Sequence, residues 1–107
     1  MVIPPAGLYL AKTRRIVELS RKHRIATCHQ NRAAVELGAL ASYGIDFTDG
    51  LARTALYVDK ILKGAKPGDL PVEQADRFQS AVNRTTAKAF GLQIPQTVLA
   101  RVDEVIE

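Results

Sequence analysis

The chain has 107 residues, 47% of them hydrophobic and 24% charged, with a formal net charge of +4 and a single cysteine. That composition is ordinary for a folded soluble domain and excludes a disordered tail, a collagen-like fibre and an intrachain disulfide framework. No apolar run reaches the ~18 residues of a membrane-spanning helix.

In chain order, two kinds of signal alternate, as in an α/β domain. Val2-Ile3 is a β-branched stub ended by Pro4-Pro5. The apolar residues Leu8, Ala11, Ile16, Val17 and Leu19 and the intervening cations predict one amphipathic helix from Leu8 to His23. Ile25–Cys28 reads as a buried strand, and Asn31 caps a short helix over Arg32–Leu37 that stops at Gly38. Ala39–Tyr43 predicts a strand ending at Gly44.

Thr48 is the expected cap of the clearest helix, in which Leu51, Ala55, Val58 and Leu62 recur on one face and Gly64 ends the run. Residues 65–71 form a turn-rich connector. Phe78, Ser80 and Val82 alternate with Gln79 and Ala81 as on a half-buried strand, Asn83 caps Arg84–Phe90, and Gly91 stops it. Pro95 opens a last helix with Val98, Leu99, Val102, Val105 and Ile106 on one face.

The charge is uneven. Residues 1–35 carry seven cations against Glu18 alone, a net +6, while residues 36–107 carry eight cations against ten acids, a net −2. A basic half can meet an anionic polymer. The three Tyr and three Phe do not alternate with the basic residues as a base-stacking surface would. Nucleic acid is therefore not an expected partner, and the basic segment reads as a solvated helix face.

Cys28-His29 is the sole adjacent soft-ligand pair, but on a strand the two side chains point to opposite faces and cannot readily share a metal. There is no phosphate-binding glycine loop and no triad spacing. No metal, cofactor or catalysis is expected. Ser42-Tyr43-Gly44 is the strongest binding candidate: a hydroxyl, an amphipathic ring and a permissive backbone at the end of a strand. Asp46 either caps the following helix or holds an ammonium group beside Tyr43. Arg32 either meets a carboxylate with both arms of its fork or is surface charge. Asp103 and Glu104 read as solubilising acids.

An ordered series of motifs carries a family resemblance. Arg14–Leu19, Ser42-Tyr43-Gly44, Tyr57–Pro67, Asp69–Gln74, Thr86–Ala89, Ile94-Pro95 and Asp103–Glu107 follow one another as in the C-terminal third of bacterial ABC-transporter solute-binding proteins. The likeness is to the branch that includes tryptophan and tyrosine binders. It implies a partial type I periplasmic-binding-protein fold, mostly parallel strands alternating with helices. It also implies an amino-acid-like organic solute bound without catalysis, an ABC permease as partner and a periplasmic location.

Within that frame residues 1–107 form one partial domain. Residues 1–44 resemble part of the second lobe, and residues 45–107 the crossover helix and the C-terminal segment. The chain departs from the family where Gly38-Ala39 replaces a Gly-Gly pair and where Ala26 replaces a proline. As written, it opens without a basic leader, which favours the cytoplasm. Edges left uncovered by an absent lobe favour a homodimer. Two other readings stay open: a non-binding dimeric remnant of the family, and a basic module for anionic polymers.

Overall fold

A computed structural model describes residues 1–107. The chain forms two compact units, residues 1–44 with 79–107, and residues 45–78.

The larger unit opens with α1 (Gly7–Ala11) and α2 (Thr13–Lys22), two helices where the periodicity predicts one. Lys12 leaves the helical region, and the Thr13 hydroxyl donates to the carbonyls of Tyr9 and Leu10 at 2.9 and 3.0 Å. Such back-bonding competes with a continuous helix. At the other end of α2, the Ile25 amide donates to Ser20 and the Arg24 amide to Arg21, with Arg24 at φ 54°. This is a Schellman stop with arginine in the position that glycine usually takes. It consumes residues 24 and 25, so the strand expected over Ile25–Cys28 is displaced to β1, Cys28–His29.

Helix α3 (Arg32–Glu36) begins as expected, the Asn31 side chain accepting from the Ala34 amide at 3.0 Å. Strand β2 covers Ala41–Ile45. In the second unit Asp46, not Thr48, caps α4 (Phe47–Leu62), accepting from the amides of Thr48 and Asp49. Strand β3 (Phe78–Asn83) leads into α5 (Arg84–Ala89), capped by Asn83 as expected. The last predicted helix is corrected: α6 covers only Gln96–Leu99, and β4 takes Glu104–Ile106. Val105 and Ile106 are β-branched and pair with Val82 and Asn83 of β3, and this long-range pairing outweighs their helical spacing.

The sheet order is β1-β2-β3-β4, with β1 parallel to β2 and β3 parallel to β4, and Val2 bridges to Cys28 at the β1 edge. β3 does not alternate in burial: Ala81, Val82 and Asn83 are all buried, as expected where both faces of a strand are covered. The core is small. Val17, Ala34 and Ala39 pack with Leu37, and the largest fully buried side chains are valines.

Buried polar bonds supplement that core. Asn83 Nδ2 donates to the Val35 carbonyl, and the Thr86 hydroxyl to the Gly38 carbonyl, each at 3.0 Å. Two buried polar atoms, Thr27 Oγ1 and His29 Nε2, have no hydrogen-bond partner.

His29 is 5% exposed, and burial holds its pKa below the ordinary 6.5. The unfolded chain therefore binds this proton more readily than the folded one, so the contribution is complete above about pH 6.5 and is lost as pH falls below it. The melting temperature is expected to drop between about pH 6.5 and pH 5, and His29→Leu to flatten that slope. A parent slope unchanged by the substitution would contradict this assignment.

Candidate functional site

In the larger unit, one face of the sheet and the α6 region enclose a groove of about 420 Å³. This lies within the range of small-molecule sites. Ala41, Ala81, Val82, Val98 and Val102 make its apolar lining, and Cys28 contributes from β1. Ser42, Tyr43, Ser80, Thr97 and Arg101 are its polar and amphipathic members. Burial raises the Cys28 thiol pKa, which keeps it protonated and apolar in character.

The structure brings two of the five candidate residues to this groove. Tyr43 is 64% exposed and Ser42 is buried. Gly44, next along β2, is placed by a backbone constraint: a Cβ there would lie 1.9 Å from the Gln30 carbonyl oxygen. Only glycine allows the chain this close to the end of β1.

Asp46 lies in the second unit. Its carboxylate is the α4 cap, and it lines a pocket of about 210 Å³ with Asp49, Arg53, Tyr57 and Arg77. Most of that pocket's charge is already matched. Arg53 pairs with Asp49 at 2.9 Å, Asp76 at 3.0 Å and Glu73 at 3.4 Å. The Tyr57 hydroxyl donates to the Pro71 carbonyl at 2.5 Å.

Arg32 does meet a carboxylate with both arms of its fork, and that carboxylate is the chain's own Glu104. Nε pairs with one oxygen, and Nη2 donates to the other at 2.8 Å. Nη1 reaches Glu36 at 2.6 Å. The bond to Glu104 raises the arginine pKa further and lowers that of Glu104. Arg32 thereby ties the start of α3 to β4.

Asp103 and Glu104 are consequently structural acids rather than solubilising ones. The Asp103 carboxylate accepts from the Ser80 hydroxyl at 2.6 Å and the Ser80 amide at 2.8 Å, and these bonds lower its pKa. The same clamp sets the entry to β4 and holds Ser80 at the groove.

Arg101 is a groove-lining residue that sequence reasoning does not single out as a binding candidate. It lines the groove and belongs to none of the ion pairs. No local signal marks it, because it follows a four-residue helix and reaches the groove through tertiary packing alone. The arrangement joins an apolar cradle, an exposed phenol ring and an uncommitted cation. It can hold an apolar group with an anionic end, and it supplies no paired acid and base.

Comparison with known proteins follows the same lines. The "Tyrosine-binding protein" of Clostridioides difficile (strain R20291) is 25% identical over 93 residues, covering 87% of this chain and 27% of that protein. The crystal structure of an ABC domain from Streptococcus pneumonia in complex with L-Trp aligns with a TM-score of 0.88 at 30% identity, covering 98% of this chain and 36% of that one. A conserved domain protein from Vibrio cholerae O1 biovar El Tor aligns with a TM-score of 0.87 at 30% identity, covering 97% and 34%. The chain thus spans about a quarter to a third of the length of these relatives. Its α/β, mostly parallel architecture is that of one part of a periplasmic-binding-protein-like fold. The family model for ABC transporter substrate binding protein matches residues 2–106, and the chain belongs to that family.

Proposed function

We propose that this chain takes part in capturing an amino-acid-like organic solute for an ABC importer, by binding and without catalysis. The observation that carries the reading is the groove beside Tyr43, in a chain whose structure aligns over 98% of its length with a domain in complex with L-Trp. An aromatic amino acid suits the groove's chemistry. Its ring fits the lining of Ala41, Val82, Val98 and Val102, Tyr43 offers a stacking edge, and Arg101 offers a cation to the carboxylate.

Gly44 and Ser42 hold the backbone that presents Tyr43. Asp46 and Arg32 do not line the groove, and their side chains serve the α4 cap and the Glu104 pair. An ABC permease is the partner that would receive the solute, and the periplasm is the compartment in which such capture serves import. Family membership supports both.

Isothermal titration calorimetry with L-tryptophan and L-tyrosine tests the assignment. Tyr43→Ala is expected to weaken binding about 10-fold or more, the size of one lost aromatic contact. Arg101→Gln is expected to cost a similar factor for the amino acid and little for its carboxyl-free amine. Affinity unchanged in both variants would remove these residues from the site.

A further inference from the structure

Asp103 occupies all but one of the hydrogen-bonding positions of the Ser80 hydroxyl. The hydroxyl donates its single proton to the Asp103 carboxylate at 2.6 Å and accepts from the Asp103 amide at 3.1 Å. A serine hydroxyl has one proton and two lone pairs, so Ser80 is left with one lone pair. It can accept a further hydrogen bond and cannot donate one. The Ser80 amide donates to the same carboxylate oxygen at 2.8 Å, which fixes the acid against the serine. These bonds hold the Asp103 pKa below its ordinary value, so the carboxylate is ionised at neutral pH.

Ser80 lines the groove, whereas Asp103, one residue beyond the lining residue Val102, does not. The charged side chain in the lining is Arg101, and no acid lies beside it there. Negative charge therefore reaches the groove through a hydroxyl that can only accept. A hydroxyl whose proton is held by a carboxylate is polarised toward the anion and is a stronger acceptor than a free one.

We propose that Ser80 receives the ammonium group of the solute, with Asp103 as the positioning residue that holds the serine proton away and supplies the balancing charge. The inference rests on the proposed capture of an amino acid in this groove. It gives the groove a polarity: the carboxylate lies at Arg101, the ammonium at Ser80, and the side chain on Ala41, Val82 and Val98. An ammonium carries only donors and so matches an acceptor-only hydroxyl. A carboxylate is rejected at the same point, because Ser80 has no proton to give and Asp103 repels it. The class selected is the zwitterionic amino acid over the same acid without its ammonium. Asp103 is solvent-exposed, so its charge is screened and its effect is several-fold rather than hundreds-fold.

Calorimetric titration of L-tryptophan against indole-3-propionate, the same acid lacking the ammonium, tests the assignment. The parent chain is expected to prefer L-tryptophan about 10-fold or more, the size of one charge-assisted hydrogen bond. Asp103→Asn keeps the shape and the acceptor oxygen but removes the charge. It is expected to cut that preference about 5-fold and to leave the affinity for indole-3-propionate unchanged. Ser80→Ala is expected to shrink the preference in the same way. A clamp that is merely structural would weaken both ligands alike and leave their ratio unmoved. Should either variant fail to fold, the parent's own ratio decides, and equal affinities for the two ligands would overturn the assignment. A preference for L-tryptophan that survives in both variants would overturn the roles of Ser80 and Asp103 and leave amino-acid capture standing. A parent that binds neither ligand would overturn both.

Discussion

Gly44→Ala is expected to be among the most damaging single-methyl additions in the chain, lowering stability by about 3 kcal/mol. The added Cβ would sit 1.9 Å from the Gln30 carbonyl oxygen, 2.8 Å from its carbon and 3.2 Å from its Cα. All three atoms are backbone, so no side chain can swing aside, and relief requires the end of β1 to move away from β2. His29 and Ser42 are register partners in that pairing, so its loss propagates to a buried histidine and into the groove. Three kcal/mol is a large share of the ~5–15 kcal/mol that holds a folded domain. The urea midpoint is the measurement. Gly50→Ala is the control, because nothing lies within 4 Å of its Cβ and alanine favours a helix interior, so its midpoint is expected to stay or rise. Equal midpoints for Gly44→Ala and the parent would show that the two backbones do not meet there.

Asn83 carries the second large effect, because one side chain serves two elements. Its Oδ1 accepts from the Thr86 amide at 2.9 Å and caps α5, while Nδ2 donates to the buried Val35 carbonyl at 3.0 Å. Asn83→Ala removes a cap worth about 1 kcal/mol and one of two donors to the buried Val35 carbonyl, which keeps the Gly38 amide, at about 0.5–1.5 kcal/mol. A combined loss of about 2 kcal/mol is expected. Asn83→Asp separates the two contributions. An aspartate keeps the cap but turns a carboxylate toward the Val35 carbonyl, whereas its protonated form restores a donor. The aspartate chain is therefore expected to close part of its stability deficit against the parent as pH falls through the carboxyl range. A deficit independent of pH would mean that the Val35 bond contributes nothing.

The elements most legible in the sequence are those whose signals are local. Gly38, Gly64 and Gly91 each carry positive φ just past a helix, and Asn31 and Asn83 each accept from an amide three residues on. Stop and cap lie within a few residues of the helix they serve, so no tertiary knowledge is needed. What escapes a local reading is set by distant partners. β4 exists because Glu104–Ile106 pair with Ala81–Asn83, 23 residues away, and the Asp103–Ser80 clamp spans the same separation. Arg32 finds Glu104 across 72 residues. A helix-like spacing in Val98, Val102 and Val105 carried no trace of either contact. Arg24 shows the converse: a stop signal usually written in glycine is made here by an arginine, and a strand moved three residues in consequence.

The binding candidate divides in the same way. Ser42 and Tyr43 stand out as a motif and share the groove, whereas Arg101, Thr97 and Val98 reach it only because α6 packs over the sheet. The succession of motifs, read together, identified the family before any single residue identified a site.

If an amino-acid-like solute sits beside Tyr43, the absence of tryptophan from the 107 residues makes the test direct. L-tryptophan at fixed concentration is titrated with the protein, and its emission is followed without background from the chain. Binding in the apolar groove predicts a saturable blue shift that Tyr43→Ala weakens. An emission spectrum unmoved at the highest protein concentration, with L-tyrosine equally silent by calorimetry, would contradict the account.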